Sequence, residues 1–178
     1  MKRVAAPGVL ALSAVLSLGT ALAQAKSASQ WLIITAGVQI GIQQAMEKAQ
    51  IVAPGQVMEI ELEEGRKGAA PYYKVMLVNA DKELVRLRVN AKTGDAAIDE
   101  KEGRVESQYL ERLAAAQISL AEAVDAAMAA RPGKPLEARL DPDWGKARYQ
   151  IKLLQADQVV MKVRVDPVSG AVIGSGKD

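Results

Sequence analysis

Near its end the chain carries RVDPVSGAV, residues 164–172, and a closely similar phrase, RVNAKTGDA, stands earlier at 88–96. An internal repeat constrains a fold more than any composition does, because both copies must fold the same way. The match is long. YKVMLVNADKELVRLRVNAKTG (73–94) lies over YQIKLLQADQVVMKVRVDPVSG (149–170) without a gap. Upstream, IGIQQAMEKAQIVAPGQVMEIEL (40–62) lies over ISLAEAVDAAMAARPGKPLEARL (118–140). The offset changes only between Leu62 and Tyr73, where Gly65, Gly68 and Pro71 mark a loop, the place where length differences are tolerated. The 178 residues therefore read as two copies of one unit.

Each unit opens with a helix. In the second, Ile118, Leu120, Val124, Ala127 and Met128 recur at helical spacing. Ser119 and Glu122 form a capping box, and Pro132-Gly133 ends the helix. In the first, Ile40, Ile42, Ala45, Met46 and Ala49 do the same, with a weaker start at Gly41 and Gln44. Three strands with period-two alternation follow: Met58, Ile60 and Leu62, then Tyr73, Val75 and Leu77, then Val85, Leu87 and Val89. NADK (79–82) and QADQ (155–158) read as hairpin turns, and Gly94 and Gly170 close the third strand of each copy. The expected fold class is α+β: two tandem repeats, each one helix packed on a three-stranded antiparallel sheet. The expected organisation is a signal peptide over 1–25, repeat 1 over 37–99, a connecting helix over 100–116 and repeat 2 over 117–178. A unit of about 60 residues is marginal alone, so packing two together gives a structural reason for duplication.

The organisation of the N-terminus bears on where the protein works. Lys2 and Arg3, an apolar run from Val9 to Ala23, and small residues around Ala23 and Ala25 spell a secretory signal peptide. The run is shorter than the roughly 20 residues of a membrane span, so no stable span is expected after cleavage. Loss of Lys2 and Arg3 would leave 21 basic residues against 21 acidic ones. The exported chain would be near neutral, which argues against nucleic-acid binding. The sequence contains no cysteine and no histidine. The fold must hold without disulfides, and the commonest general base and metal ligand are missing. No cofactor or metal is expected: DPDWG (141–145) starts like a calcium loop, but Lys152 stands where the bidentate acid belongs.

An Ala-rich helix ended by Pro-Gly, a Glu-bearing strand, a Tyr-started strand and a V-R-V-[DN]-x-x-[ST]-G strand end together resemble the PepSY family, in two tandem copies. The fullest match is YQIKLLQADQVVMKVRVDPVSGAVI, 149–173; the first copy departs from it with Asn90 and Ala91 where the second has Asp166 and Pro167. The resemblance implies an envelope or secreted protein that binds and often inhibits or regulates a peptidase. It brings no catalytic residues, so the protein is expected not to be an enzyme.

The candidate site is the sheet face turned away from the helices. Glu59, Glu61, Glu63, Lys74, Arg86 and Arg88 share it in the first copy, and Glu137, Arg139, Lys152, Lys162 and Arg164 in the second. Such a face is either a set of solvated cross-strand ion pairs or a charged docking surface. Partner-binding candidates are Glu59, Glu61, Arg86, Arg88, Lys162 and Arg164, with Trp144 as an aromatic anchor. The expected partner is a protein of the cell envelope, a peptidase or sensor, engaged after export to the periplasm or beyond. Alternatives are a structural or assembly factor of the envelope, or a small-ligand or metal carrier. An exposed sheet edge could also accept a partner's strand. The apolar segment WLIITAGV (31–38) could extend the first helix, add a strand, or cover the other copy.

Overall fold

The computed structural model describes residues 26–141 and 147–178. Trp144 lies outside the described residues, as does the whole of the expected signal peptide. The element order is α1 (Ala28–Ala36), α2 (Ile42–Val52), β1 (Gln56–Glu63), β2 (Tyr72–Val78), β3 (Glu83–Asn90) and β4 (Ala96–Arg104). It continues with α3 (Ser107–Ala115), α4 (Leu120–Ala130), β5 (Lys134–Asp141), β6 (Arg148–Leu154), β7 (Val160–Val165) and β8 (Val172–Lys177).

The α+β reading holds, with one addition: each copy's sheet has four strands, not three. β4 and β8 follow the glycine turns that were read as strand ends. They are edge strands. β4 (AAIDEKEGR) is exposed almost throughout, and β8 (VIGSGK) is nearly so. Neither has a buried face, so neither shows the alternation that identifies a strand in sequence. Glu100–Arg104 complete β4, so the helix between the copies covers 107–115, less than the expected 100–116. It does not run on into α4, from which it is bent by 59°.

The two sheets merge. Strand order is β4-β3-β2-β1-β5-β6-β7-β8, with every neighbour antiparallel. The seam pairs Glu59 with Arg139, Ile60 with Ala138 and Glu61 with Glu137. Ile60 and Ala138 are repeat equivalents, so the internal two-fold passes through that pair. Both are completely buried. Joining β1 to β5 covers two edges that separate units would leave open, and makes one core from two marginal ones.

α2 and α4 lie on one face of the sheet, each over its own copy. Gln43 of α2 donates to Asp125 of α4 at 2.9 Å, tying the two together. The core between helices and sheet is aliphatic, with Ile42, Ile60, Leu62, Leu77, Leu87, Leu120, Leu136, Ile151 and Leu153 fully buried. Its two largest fully buried side chains are Tyr73 and Tyr149. Their hydroxyls donate to the backbone oxygens of Ile40 at 3.0 Å and Ile118 at 2.8 Å. Each tyrosine thereby anchors the entry to its helix.

The repeated phrase has an equally local explanation. Asn90 Oδ1 accepts from the backbone N–H of Lys92 and Thr93, and Asp166 Oδ1 from Val168 and Ser169. Gly94 and Gly170 sit at φ +79 and +72 and donate to the oxygens of Asn90 and Asp166. A residue that offers a side-chain amide or carboxylate oxygen as acceptor at the turn's first position, with glycine four residues on, closes it this way.

Most of segment 31–38 belongs to a separate helix, α1, that reaches across to the other copy. Leu32 lines a hollow with Pro132, Gly133 and Leu154 of repeat 2. α3 does the reverse: Gln56 Nε2 donates to the Leu113 oxygen at 3.4 Å, so α3 packs on repeat 1. The repeat therefore starts earlier than Ile40. QWLIITAGVQI (30–40) lies over QYLERLAAAQI (108–118), with Trp31 over Tyr109. Each unit is two helices and four strands, and the leading helices cross over.

Candidate protein-docking face

β1 alternates Ile60 and Leu62 toward the helices with Glu59, Glu61 and Glu63 away from them. β3 does the same with Val85, Leu87 and Val89 against Arg86 and Arg88. The period of two places all six described candidates (Glu59, Glu61, Arg86, Arg88, Lys162 and Arg164) on one face of one continuous sheet. The register then determines how they pair, and most are paired within the chain.

On β1, Glu59 and Glu61 share Lys74 of β2 at 3.2 and 2.8 Å. Lys26 reaches Glu61 at 3.5 Å and Glu63 at 3.0 Å, while its ammonium lies 4.8 Å from the Trp31 ring centroid. These lysines are needed because the seam sets Glu61 directly opposite Glu137, a like-charge pair. Burial raises the Glu61 carboxyl, but the hydrogen bond and charge of Lys74, with Lys26 behind it, outweigh that and hold it below its ordinary value. Burial lowers the Lys74 ammonium in turn, but Glu61 and Glu59 outweigh it and raise it. On β3, Arg86 binds Glu100 and Glu102 of β4. Arg88 reaches Asp99 at 3.7 Å and stacks on Tyr72, 4.2 Å from the ring centroid.

The second copy is organised differently. Lys152 binds Glu137 at 3.0 Å and Asp178 at 3.2 Å, and Lys162 binds Asp178 at 2.7 Å. Burial raises the Asp178 carboxyl; its bonds to Lys162 and Lys152 outweigh that and lower it. Arg139 has a 3.7 Å contact to Glu137 of its own strand. Arg164 has no carboxylate within ion-pair distance among the described residues, and its Nε is buried without an acceptor.

Where α3 crosses the face, a cleft of about 420 Å³ opens at the seam. Met58, Met76, Leu84 and Tyr109 form its apolar wall, and Glu59 and Arg139 its polar rim. Sequence reasoning placed the face but missed Lys26, Asp178 and the β4 acids as its counter-charges. It also missed Tyr109 as a wall. The signal for Tyr109 is the Trp31/Tyr109 correspondence, upstream of Ile40 and Ile118. Among the described residues no three His, Cys, Asp or Glu side chains are grouped to hold a metal ion. No described helix is by itself long and apolar enough to cross a membrane.

Fold and face define a tandem α+β protein with α2 and α4 on one side of a merged sheet and, on the other, a charged surface that α3 crosses. The family described as "Peptidase propeptide and YPEB domain", PepSY, matches residues 39–96 and 117–175. The chain belongs to the PepSY family, with two copies of its domain. Among solved structures, it is similar to a protein described as a "putative lipoprotein" from Clostridium difficile 630, at 21% identity and TM-score 0.41, over 77% of this chain and 88% of that one. It is also similar to the YpmB protein from Bacillus subtilis, at 15% identity and TM-score 0.34, over 79% of this chain and 99% of that one. No curated protein matches the chain significantly.

Proposed function

We propose that this is an exported, non-enzymatic binding protein that modulates a peptidase or sensor of the cell envelope by direct contact through its charged sheet face. The observation that carries this is how the two copies diverge. Most side chains they share are spent on the frame: the tyrosine anchors, the helix-ending Pro-Gly and the glycine turns. The face keeps Glu59/Glu137 and Arg88/Arg164 in common, and around them the copies differ. Lys74 corresponds to Gln150, Met76 to Lys152 and Glu61 to Arg139. A purely structural sheet surface has no need of two charge patterns, whereas a docking surface uses them for partner choice and on-rate. The PepSY family's description as a peptidase propeptide domain supports a peptidase as the partner class.

The test is capture of periplasmic proteins on the immobilised protein, followed by peptidase assay of what is retained. The comparison is a variant with Glu59→Lys, Glu61→Lys, Arg86→Glu and Arg88→Glu, shown by circular dichroism to be folded. The proposal expects a retained peptidase or sensor, a changed rate at saturation, and loss of both with the variant. Equal retention by the variant would refute docking through this face. Stable retention with no rate effect would favour an assembly role. The cleft favours a second reading, a small-ligand carrier, because about 420 Å³ falls in the usual range for ligand pockets. A ligand-dependent rise in melting temperature would show it.

A further inference from the structure

We infer that the outer edge of β8 accepts an extended acidic segment of a partner protein as a ninth strand, with Arg164 reading its charge. This rests on the proposed function, and names the chemistry and mode of the contact.

The sheet has two outer edges, and they are built differently. β4 is guarded. Its pairing with β3 shifts register twice, and it carries Asp99, Glu100, Lys101 and Glu102. Bulges and charges are how native edges resist strand addition. β8 has one register shift, two glycines and a single charged residue, Lys177. Its Val172 and Ile173 are exposed.

The hydrogen-bonding phase of that edge follows from its pairing. Asp178 donates its N–H to the Val160 oxygen at 3.0 Å. Antiparallel alternation makes Lys162/Gly176 and Arg164/Gly174 the bonded pairs, so the N–H and C=O of Ser175 and Lys177 point outward.

The charges along this edge point the same way. In repeat 1 the arginines of β3 meet carboxylates from β4. In repeat 2 the strand at the same place offers Gly174 and Gly176 opposite Arg164 and Lys162. Asp178 serves Lys162, and nothing among the described residues serves Arg164. Its guanidinium lies across β8 instead: Nη1 is 3.5 Å from where a Cβ on Gly174 would stand. A carboxylate on a strand added beyond β8 would sit in the direction Arg164 already extends, over a lane that glycine leaves bare. A second copy fits worse. Pairing β8 with β8 would set two rows of Arg164 and Lys162 together, which like charges oppose.

The test uses the purified protein and a short capped peptide alternating Val and Glu, with Lys-for-Glu and Thr-for-Glu versions as controls. Readouts are fluorescence anisotropy and exchange of the Ser175 and Lys177 amides. The acidic peptide is expected to bind and protect both amides. Arg164→Gln is expected to weaken it about tenfold, the size of one lost charge-assisted bond, and Arg164→Lys to restore part of that. Ser175→Pro removes an outward N–H, which an edge strand tolerates, and is expected to abolish binding. Should that variant not fold, Lys177→Pro makes the same decision. Equal binding of all three peptides, binding that survives the proline, or amide protection only by self-association would each overturn the inference. A peptidase still captured by a protein that fails these tests would leave the docking face standing and this edge excluded.

Discussion

Replacing Tyr73 or Tyr149 by phenylalanine isolates what holds each helix to its sheet. Both rings are almost completely buried, and the substitution leaves their packing in place. What is lost is a single hydroxyl donor to Ile40 or Ile118. A net intramolecular hydrogen bond contributes about 0.5–1.5 kcal/mol, and a buried acceptor left unmatched adds to the cost. We expect about 1–2 kcal/mol for each variant. The two bonds share no residue, so the double variant is expected to lose about 2–4 kcal/mol, near the sum. Burial also pushes both phenols from 10.0 up to about 12, with Glu122 adding to the effect at Tyr149. The unfolded chain therefore ionises these phenols first. Stability is full below pH 10 and falls as pH rises from 10 toward 12, by about 1–2 kcal/mol per tyrosine after allowing for solvent screening. Urea melts of the wild type and the double variant at pH 7 and at pH 11 measure both effects. The double variant should be weaker at pH 7 and should lack the tyrosine share of the alkaline loss. A loss below about 0.3 kcal/mol at pH 7, or identical alkaline slopes, would refute the anchoring argument.

Other expectations concern the glycines, the charges and the cap. A Cβ on Gly55 would stand 2.5 Å from the Val78 backbone oxygen, so Gly55→Ala should cost about 1–3 kcal/mol by overpacking; Gly133→Ala, at 2.9 Å from the Leu154 oxygen, should cost less in the same denaturation series. Lys74→Met leaves Glu61 facing Glu137 with less compensation and should destabilise by about 1 kcal/mol, which Glu137→Gln should partly recover in a double-mutant cycle. Glu61 and Asp178 are held below their ordinary pKa, so their contribution is present above about pH 4.5 and is lost as pH falls through the folded value; Glu61→Gln with Asp178→Asn should flatten the acid limb of a melting-temperature profile. Ser119→Ala removes the side-chain acceptor for the Glu122 N–H and should cost about 1 kcal/mol by thermal melt.

The helix-and-sheet unit was legible because its signals are local. Period-two runs, the Ser119–Glu122 box and Pro132-Gly133 each specify a backbone state without reference to the other copy. β4 and β8 were not legible because an edge strand without a buried face has no reason to alternate. β4 reads as a charged loop and β8 as a glycine-rich one. The crossing of α1 and α3 was hidden for a different reason. Trp31 and Tyr109 correspond, but Ile33, Ile34 and Thr35 lie over Glu111, Arg112 and Leu113, and this divergence masks the helix's common ancestry with α3. For the face, alternation alone put Glu59, Glu61, Arg86, Arg88, Lys162 and Arg164 on one side. Which charges neutralise which depends on register across β1/β5 and on residues far away in the chain, such as Lys26 and Asp178. No single strand's sequence contains that information.

The charged sheet face, not the face covered by α2 and α4, is the one expected to meet another protein. Photocrosslinking in cells tests this most directly, with a photoreactive residue placed at Arg88 or Lys162 on the sheet side and at Glu47 or Lys48 on α2. The account predicts adducts with a distinct envelope protein from the sheet positions and none from the helix positions. Adducts confined to α2, or formed only between copies of this chain, would contradict it.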